Sequence, residues 1–324
     1  MTAALDVQGL TTVLHTRQGR LVAVNGIDLH VDRGETLALV GESGCGKSLT
    51  ALSIMRLLPR PPAETVAGRV IVGGRDVLAL PERAMQGVRG REVSMIFQDP
   101  VGSLNPVSTV RTQLREVLQA HTPLRGAAAE ARMVELLRLV NIPDPVARLE
   151  EFPHRLSGGM SQRVMIAMAI ACDPAVLLAD EPTTALDVTV QAQVLRVLKG
   201  IQRRAGTAIL LITHDLGVVA EAADRVAVMY AGYKVEEAGV DALFATPLHP
   251  YTRGLLAATP TRGAMVLHEI PGQVPALSEM PPGCPYAPRC PLVMPVCGAR
   301  MPGLTAPIPA HQVACHATGI PDAA

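Results

Sequence analysis

The chain has 324 residues, 48% apolar and 18% charged, enough to bury sizeable cores and too apolar for a disordered protein. Its 29 basic residues balance 29 acidic ones, so no global field marks it for nucleic acid or for an anionic membrane surface. No apolar run reaches the roughly 18 residues that span a bilayer, and Met1 to Asp6 lacks the basic and apolar regions of a signal peptide. The expectation is a cytosolic protein whose six cysteines are thiols or metal ligands rather than disulfides.

Leu5 to Val31 alternates short apolar stretches around Gln18-Gly19-Arg20 and Asn25-Gly26, predicting antiparallel β structure. Thr36 to Val40 predicts a buried strand and Leu49 onward a helix. Between them lies Gly41-Glu-Ser-Gly-Cys-Gly-Lys47-Ser48, the strand–loop–helix setting of a phosphate-binding loop. Glycines at 41, 44 and 46 let consecutive N–H groups wrap a triphosphate at the positive end of the helix. The candidate nucleotide-binding residues are Gly41, Ser43, Gly44, Cys45, Gly46, Lys47, Ser48 and Leu49. Lys47 would reach the β- and γ-phosphates, and the Ser48 hydroxyl would ligate Mg²⁺. A chance Gly-rich turn is the plain alternative, weakened because the chain has only three lysines.

Between Asp99 and Arg155 the periodic segments Val110 to Ala120 and Ala127 to Val140 predict helices. Leu156-Ser157-Gly158-Gly159-Met160-Ser161-Gln162 then precedes the amphipathic run Arg163 to Cys172, so Ser157 can cap a helix whose first N–H groups the two glycines leave open. That is a second phosphate site, and one nucleotide cannot easily use both helix N-termini of one chain. A head-to-tail partner would supply the other half. Ala175 to Glu181 places Asp180 and Glu181 at the end of an apolar strand, where a parallel-sheet enzyme puts its chemistry. Asp180 suits the Mg²⁺ shell, and Glu181 suits polarising the attacking water. Thr207 to Ile212 predicts another buried strand, so a parallel α/β core with a helical insertion is expected. Val226 to Tyr230 and Tyr233 to Glu237 around Ala231-Gly232 predict a closing hairpin.

In this order the motifs resemble the ATPase subunits of ABC transporters, over residues 4 to about 240. Gly41 to Ser48 is similar to the Walker A loop, Gln98-Asp99-Pro100 to the Q-loop and Leu156 to Gln162 to the signature motif. Ala175 to Glu181 resembles Walker B, Ala185-Leu186-Asp187 the D-loop, and His214 the switch histidine. The resemblance implies that Gln98 senses Mg²⁺ and the γ-phosphate and links them to a membrane subunit. It further implies that His214 contacts the γ-phosphate, Glu181 is the base, and Asp187 crosses a dimer interface. Ser157, Gly158 and Gly159 would clamp the nucleotide bound by the partner. Two departures stand out: Ser161 replaces an arginine of the signature, and Val13-Leu14-His15 carries no aromatic ring where the family stacks adenine.

After about residue 240 the sequence turns Pro- and Gly-rich. His249-Pro-Tyr-Thr-Arg-Gly-Leu-Leu256 and the cysteine tail resemble the dipeptide and oligopeptide importer branch, including its nickel-transporting relatives. Cys284-x5-Cys290-x6-Cys297-x17-Cys315 places four thiols in 32 residues, a spacing without the paired C-x-x-C of zinc ribbons. Zinc, an iron–sulfur cluster and unliganded thiols all stay open on spacing, and the resemblance favours a 4Fe-4S cluster.

The expected fold is therefore α/β: a P-loop ABC ATPase core at 1–240 with an antiparallel β subdomain and a helical insertion near 99–165, plus a small Cys-rich extension at 241–324. The implied protein binds ATP and Mg²⁺ and energises a peptide importer from the cytoplasmic face of a bacterial inner membrane. Its partners would be a homologous or identical ATPase subunit, two permeases and, indirectly, an extracytoplasmic peptide-binding protein, with no nucleic acid. The rival readings are a soluble ABC ATPase acting on nucleic acid or ribosomes, and an importer of nickel or metal–peptide complexes.

Overall fold

The structure, a computed structural model, describes residues 3–17, 19–100, 102–184, 187–259 and 269–318. Ala185 and Leu186 of the expected D-loop lie outside the described residues. The chain forms two compact units: residues 1–6, 30–36 and 70–212 in one, residues 7–29, 37–69 and 213–324 in the other.

In the first unit, the fully buried strands Val93–Ile96 and Val176–Asp180 run parallel, Val93 opposite Val176 and Ile96 opposite Ala179. Ala208 to Ile212 continues the parallel set, Asp180 lying opposite Ile212. Strands buried on both faces read as unbroken apolar runs, which is why these segments show no alternation. The insertion folds as the helices Val110–His121, Gly126–Leu139, Pro145–Leu149 and Gly158–Ala169. Val110, Leu114, Leu118, Met133, Leu136 and Leu149 are buried there at helical spacing. The expected cap forms: Ser157 accepts a hydrogen bond from the Met160 N–H, the helix starts at Gly158 and Gly159, and the apolar run from Arg163 continues it. Helix Val188–Ala205 begins at Asp187, whose side chain accepts from the Val190 N–H at 2.9 Å, and ends at Gly206 in the left-handed region.

Most of strands Gly19–Val31, Leu5–Thr16 and Ala63–Val72 belongs to the second unit, and the three are neighbours in that order. A second sheet starts with Leu37 to Val40, parallel to Arg225–Tyr230. The expected hairpin forms: Tyr233 pairs with Tyr230 across Ala231 and Gly232, both at positive φ (46° and 85°), the conformation of a two-residue turn whose twist matches the strands. His311–Val313 then pairs antiparallel with Tyr233–Gly239, and Thr305–Ile308 adds the edge. The C-terminal extension is thus built onto the strand that closes the hairpin.

Three hydrogen bonds fix that attachment. Glu236, fully buried, accepts from the backbone N–H groups of Leu248 (2.7 Å) and His249 (3.0 Å) and shares a 2.7 Å bond with His311 Nε2. His249 caps helix Pro250–Ala257 by accepting the Tyr251 N–H on Nδ1, and burial pushes its pKa down to about 3, so it stays neutral.

Candidate nucleotide site and cysteine pocket

The phosphate loop leaves a fully buried strand and enters helix Lys47–Met55, as the sequence predicts. Two glycines are dictated by close approach: a Cβ at Gly41 would lie 2.2 Å from the Met229 carbonyl oxygen, and one at Gly46, at φ 103°, would lie 2.7 Å from that of Ala23. Lys47 is only 6% exposed, yet among the described residues its ammonium meets no carboxylate. It donates to the carbonyls of Gly41 (2.8 Å) and Glu42 (3.0 Å) and lies 3.8 Å from Cys45 Sγ. That thiol is buried, and burial raises its pKa, so it gives the lysine no counter-charge. A buried cation held only by its own loop's carbonyls is a site prepared for an anion.

Glu42 is turned away from Lys47 and held from outside the loop. Its N–H donates to Tyr251 Oη at 2.8 Å, and its carboxylate accepts both terminal nitrogens of Arg289, at 2.7 and 3.0 Å. Sequence reasoning gave none of these three residues a role. The available signal was that aromatic residues are scarce, yet two of four tyrosines, 251 and 286, fall in the extension. His214, also in this unit, is exposed just ahead of the helix Leu216–Ala222 capped by Asp215.

In the first unit, Gln98 and Glu181 come together: Gln98 Nε2 donates to Glu181 Oε2 at 3.0 Å, and Thr184 Oγ1 donates to the same oxygen at 2.8 Å. Glu181 sits at φ 47°, an unusual conformation for a residue with a Cβ, held by its N–H to the Ile212 carbonyl. Asp180, one residue earlier, is buried at the strand end. The signature segment is tied to this strand exit, since buried Gln162 donates to the Pro182 carbonyl at 2.8 Å. Ser157, Gly158 and Asp187 are exposed at the starts of their helices, and a Cβ at Gly159 would approach Val190 to 3.3 Å. Ser161, in the departing position, is buried rather than presented to solvent. His15, in the segment that matches the family's adenine-stacking position, is exposed and 3.0 Å from Glu64 Oε2.

Cys284, Cys290, Cys297 and Cys315 line one small enclosed cavity with His249 and His316. Burial pushes Cys290 up to about 11 and raises Cys284 and Cys315, so without a bound cation these thiols stay protonated. Among the described residues no group of three or more His, Cys, Asp or Glu side chains is arranged to hold a metal ion. No helix among the described residues is long and apolar enough to cross a membrane.

Comparison with known proteins places this geometry. Residues 24–184 match the family model "ABC transporter", and residues 235–297 match "Oligopeptide/dipeptide transporter, C-terminal region". The chain is 54% identical over 314 residues to a probable peptide ABC transporter ATP-binding protein of Sinorhizobium fredii, covering 96% of this chain and 94% of that one. It is 49% identical to the dipeptide transport ATP-binding protein DppD of Bacillus subtilis, covering 97% and 95%. A solved ATP-binding subunit of an ABC transporter superposes with TM-score 0.62 at 28% identity, over 80% of this chain and 96% of that one. The dimeric structure of a bacterial ABC transporter cassette gives 0.66 at 25%, over 73% and 98%. A Lys-bearing phosphate loop, a strand-end carboxylate pair and near full-length identity converge: the chain belongs to the ABC transporter family as one of its ATP-hydrolysing, ATP-binding proteins, in the group that carries the oligopeptide/dipeptide transporter C-terminal region.

Proposed function

We propose that this chain energises the import of dipeptides or oligopeptides. The observation that carries the proposal is the buried ammonium of Lys47, which meets no carboxylate among the described residues, in a loop of correct setting, in a chain whose relatives are peptide-transporter ATP-binding proteins. The loop Gly41 to Leu49 wraps the triphosphate, its N–H groups and Lys47 taking the β- and γ-oxygens. Ser48, Asp180 and Gln98 would hold Mg²⁺, which neutralises charge developing on the phosphates. Glu181 polarises the attacking water, and the 3.0 Å bond from Gln98 supports a resting state in which the glutamine restrains that carboxylate. His214 reports on the γ-phosphate, while Ser157, Gly158 and Gly159 engage the nucleotide of a head-to-tail partner whose interface Asp187 crosses. The ATPase domain is residues 1–240, with the helical part near 99–165 facing two permeases at the cytoplasmic side of the membrane. A peptide-binding protein acts through those permeases.

Residues 241–324 form the extension, in which Cys284, Cys290, Cys297 and Cys315 would hold an iron–sulfur cluster of the 4Fe-4S type. Four soft donors around one apolar cavity suit a thiolate-bound group, and a bound cationic centre would oppose the effect of burial that now keeps Cys284, Cys290 and Cys315 protonated. The cluster would tie together a Pro-rich segment, in a structural or sensory role rather than as part of the hydrolytic machinery. Anaerobically purified protein should be brown and lose its colour when any of the four cysteines becomes serine; colourless protein with one equivalent of zinc would keep the ligands and overturn the iron. For transport, vesicles holding the permeases and both ATPase subunits should accumulate peptide only with ATP inside. Accumulation of free nickel but no peptide would favour the metal-importing reading.

A further inference from the structure

The cysteine segment reaches the phosphate loop through one side chain. Arg289 immediately precedes Cys290, and its side chain is 4% exposed. Both its terminal nitrogens are on the Glu42 carboxylate, at 2.7 and 3.0 Å, and its Nε donates to the Pro271 carbonyl at 2.9 Å. Nη1 also lies 3.3 Å from Tyr230 Oη, and the guanidinium carbon sits 5.8 and 6.0 Å from the ring centres of Tyr230 and Tyr286. The Glu42 hydrogen bonds raise its pKa further, so the charge is permanent. A two-point guanidinium–carboxylate pair fixes direction as well as distance.

The segment carrying Arg289 has little regular structure to hold it. Between Cys284 and Cys290 the backbone makes successive turns around the short 3-10 helix Ala287–Arg289: Ala287 N–H to Cys284 O, Arg289 N–H to Tyr286 O and Cys290 N–H to Ala287 O. Cys284 is anchored by its N–H to the Cys297 carbonyl at 2.7 Å. The turn borders the thiol cavity and packs Tyr286 edge-to-face on Tyr230, 5.1 Å between ring centres. Tyr230 in turn meets Tyr251 at 4.7 Å, and Tyr251 receives the Glu42 N–H. Both the backbone and the side chain of Glu42 are thus governed by groups seated beside the cysteines.

We infer that Arg289 is a positioning residue that couples the state of the four-cysteine pocket to nucleotide affinity, holding the phosphate loop open through Glu42 when the pocket is intact. The inference rests on ATP binding at Gly41 to Ser48 and adds a regulatory input to it. When the turn Cys284 to Cys290 loosens, Glu42 loses its partner, and its carboxylate becomes free to swing toward Lys47 and compete with the triphosphate for the ammonium.

The test is equilibrium binding of MgATP, read with a fluorescent ATP analogue, to the full chain and its variants. Arg289→Gln should weaken binding about tenfold, the scale of breaking a close two-point charge pair. Glu42→Gln should weaken it far less, since the competing charge goes too, and Glu42→Gln should restore affinity to Arg289→Gln in the double variant. Cys290→Ser should weaken binding about as much as Arg289→Gln and add nothing to it when combined. Arg289→Lys, keeping the charge without the fork, should fall between. A merely structural arginine would lower the thermal midpoint of Arg289→Gln without any rescue by Glu42→Gln, and that result overturns the inference. So does a Cys290→Ser loss that adds fully to the Arg289→Gln loss, or native affinity in either variant. Lys47→Ala separates the two levels: if it too binds with native affinity the nucleotide reading fails and the inference with it, whereas lost binding in Lys47→Ala with native binding in Arg289→Gln sinks the inference alone.

Discussion

Glu181 is read from its position at the end of an apolar strand, and its environment adds what sequence could not: a strained φ and two donors, Gln98 and Thr184, on one oxygen. On the role proposed for Glu181 as the base, Glu181→Gln should leave ATP binding in place while turnover of the assembled transporter falls about a hundredfold or more, as single-turnover kinetics would show. Glycines differ just as sharply. Gly41→Ala pushes a Cβ to 2.2 Å from the Met229 oxygen and should cost about 2 kcal/mol or more in thermal or denaturant unfolding. Gly158→Ala meets nothing within 4 Å, has no positive φ and should leave unfolding within about 0.5 kcal/mol of the parent. The motif glycines are equally legible in the sequence, but which are demanded by the fold is a matter of long-range neighbours that a local pattern cannot contain. Arg289 and Tyr251 were invisible for the same reason: their partner, Glu42, lies more than 200 residues away in the chain.

At the level of elements, apolar periodicity located the strands and helices that carry the candidate site, and Asn/Asp/Ser/Gly chemistry located their ends. The predicted hairpin and helices form because local preference and burial agree there. The signature helix starts at the glycines after Ser157, as its sequence implies, because a serine cap and not the apolar run that follows decides where a helix begins. The strand His311–Val313 escaped notice because three residues carry no period, and it exists by pairing with a strand already formed. Its lock is testable: Glu236→Leu leaves two backbone N–H groups and His311 without their acceptor and should cost about 3 kcal/mol, read by thermal unfolding. On the signature helix, Gly159→Arg should spare ATP binding by the same chain yet abolish hydrolysis at a partner's site. Mixed dimers with a Lys47→Ala chain would show this as a defect in trans, and equal loss of ATP affinity in the isolated variant would rule out the head-to-tail arrangement.

Across the whole molecule, motif order carried the identification, since six short motifs in fixed sequence over about 240 residues leave little room for chance. The shift to Pro- and Gly-rich sequence after 240 marks a change of building material, and the chain spends it inside the compact unit that also contains the phosphate loop. Composition signals such a change but not where the new segment docks, because docking is settled by Glu236, by the tyrosine cluster and by Arg289. The central claim is that this subunit turns ATP hydrolysis into peptide movement. The most direct test is ATP hydrolysis by a transporter assembled in lipid with the permeases and second ATPase subunit proposed above, as peptide-loaded binding protein is added. Hydrolysis should rise severalfold with peptide, accompany peptide uptake and vanish with Glu181→Gln; hydrolysis that ignores peptide, or uptake that survives Glu181→Gln in both ATPase subunits, would contradict it.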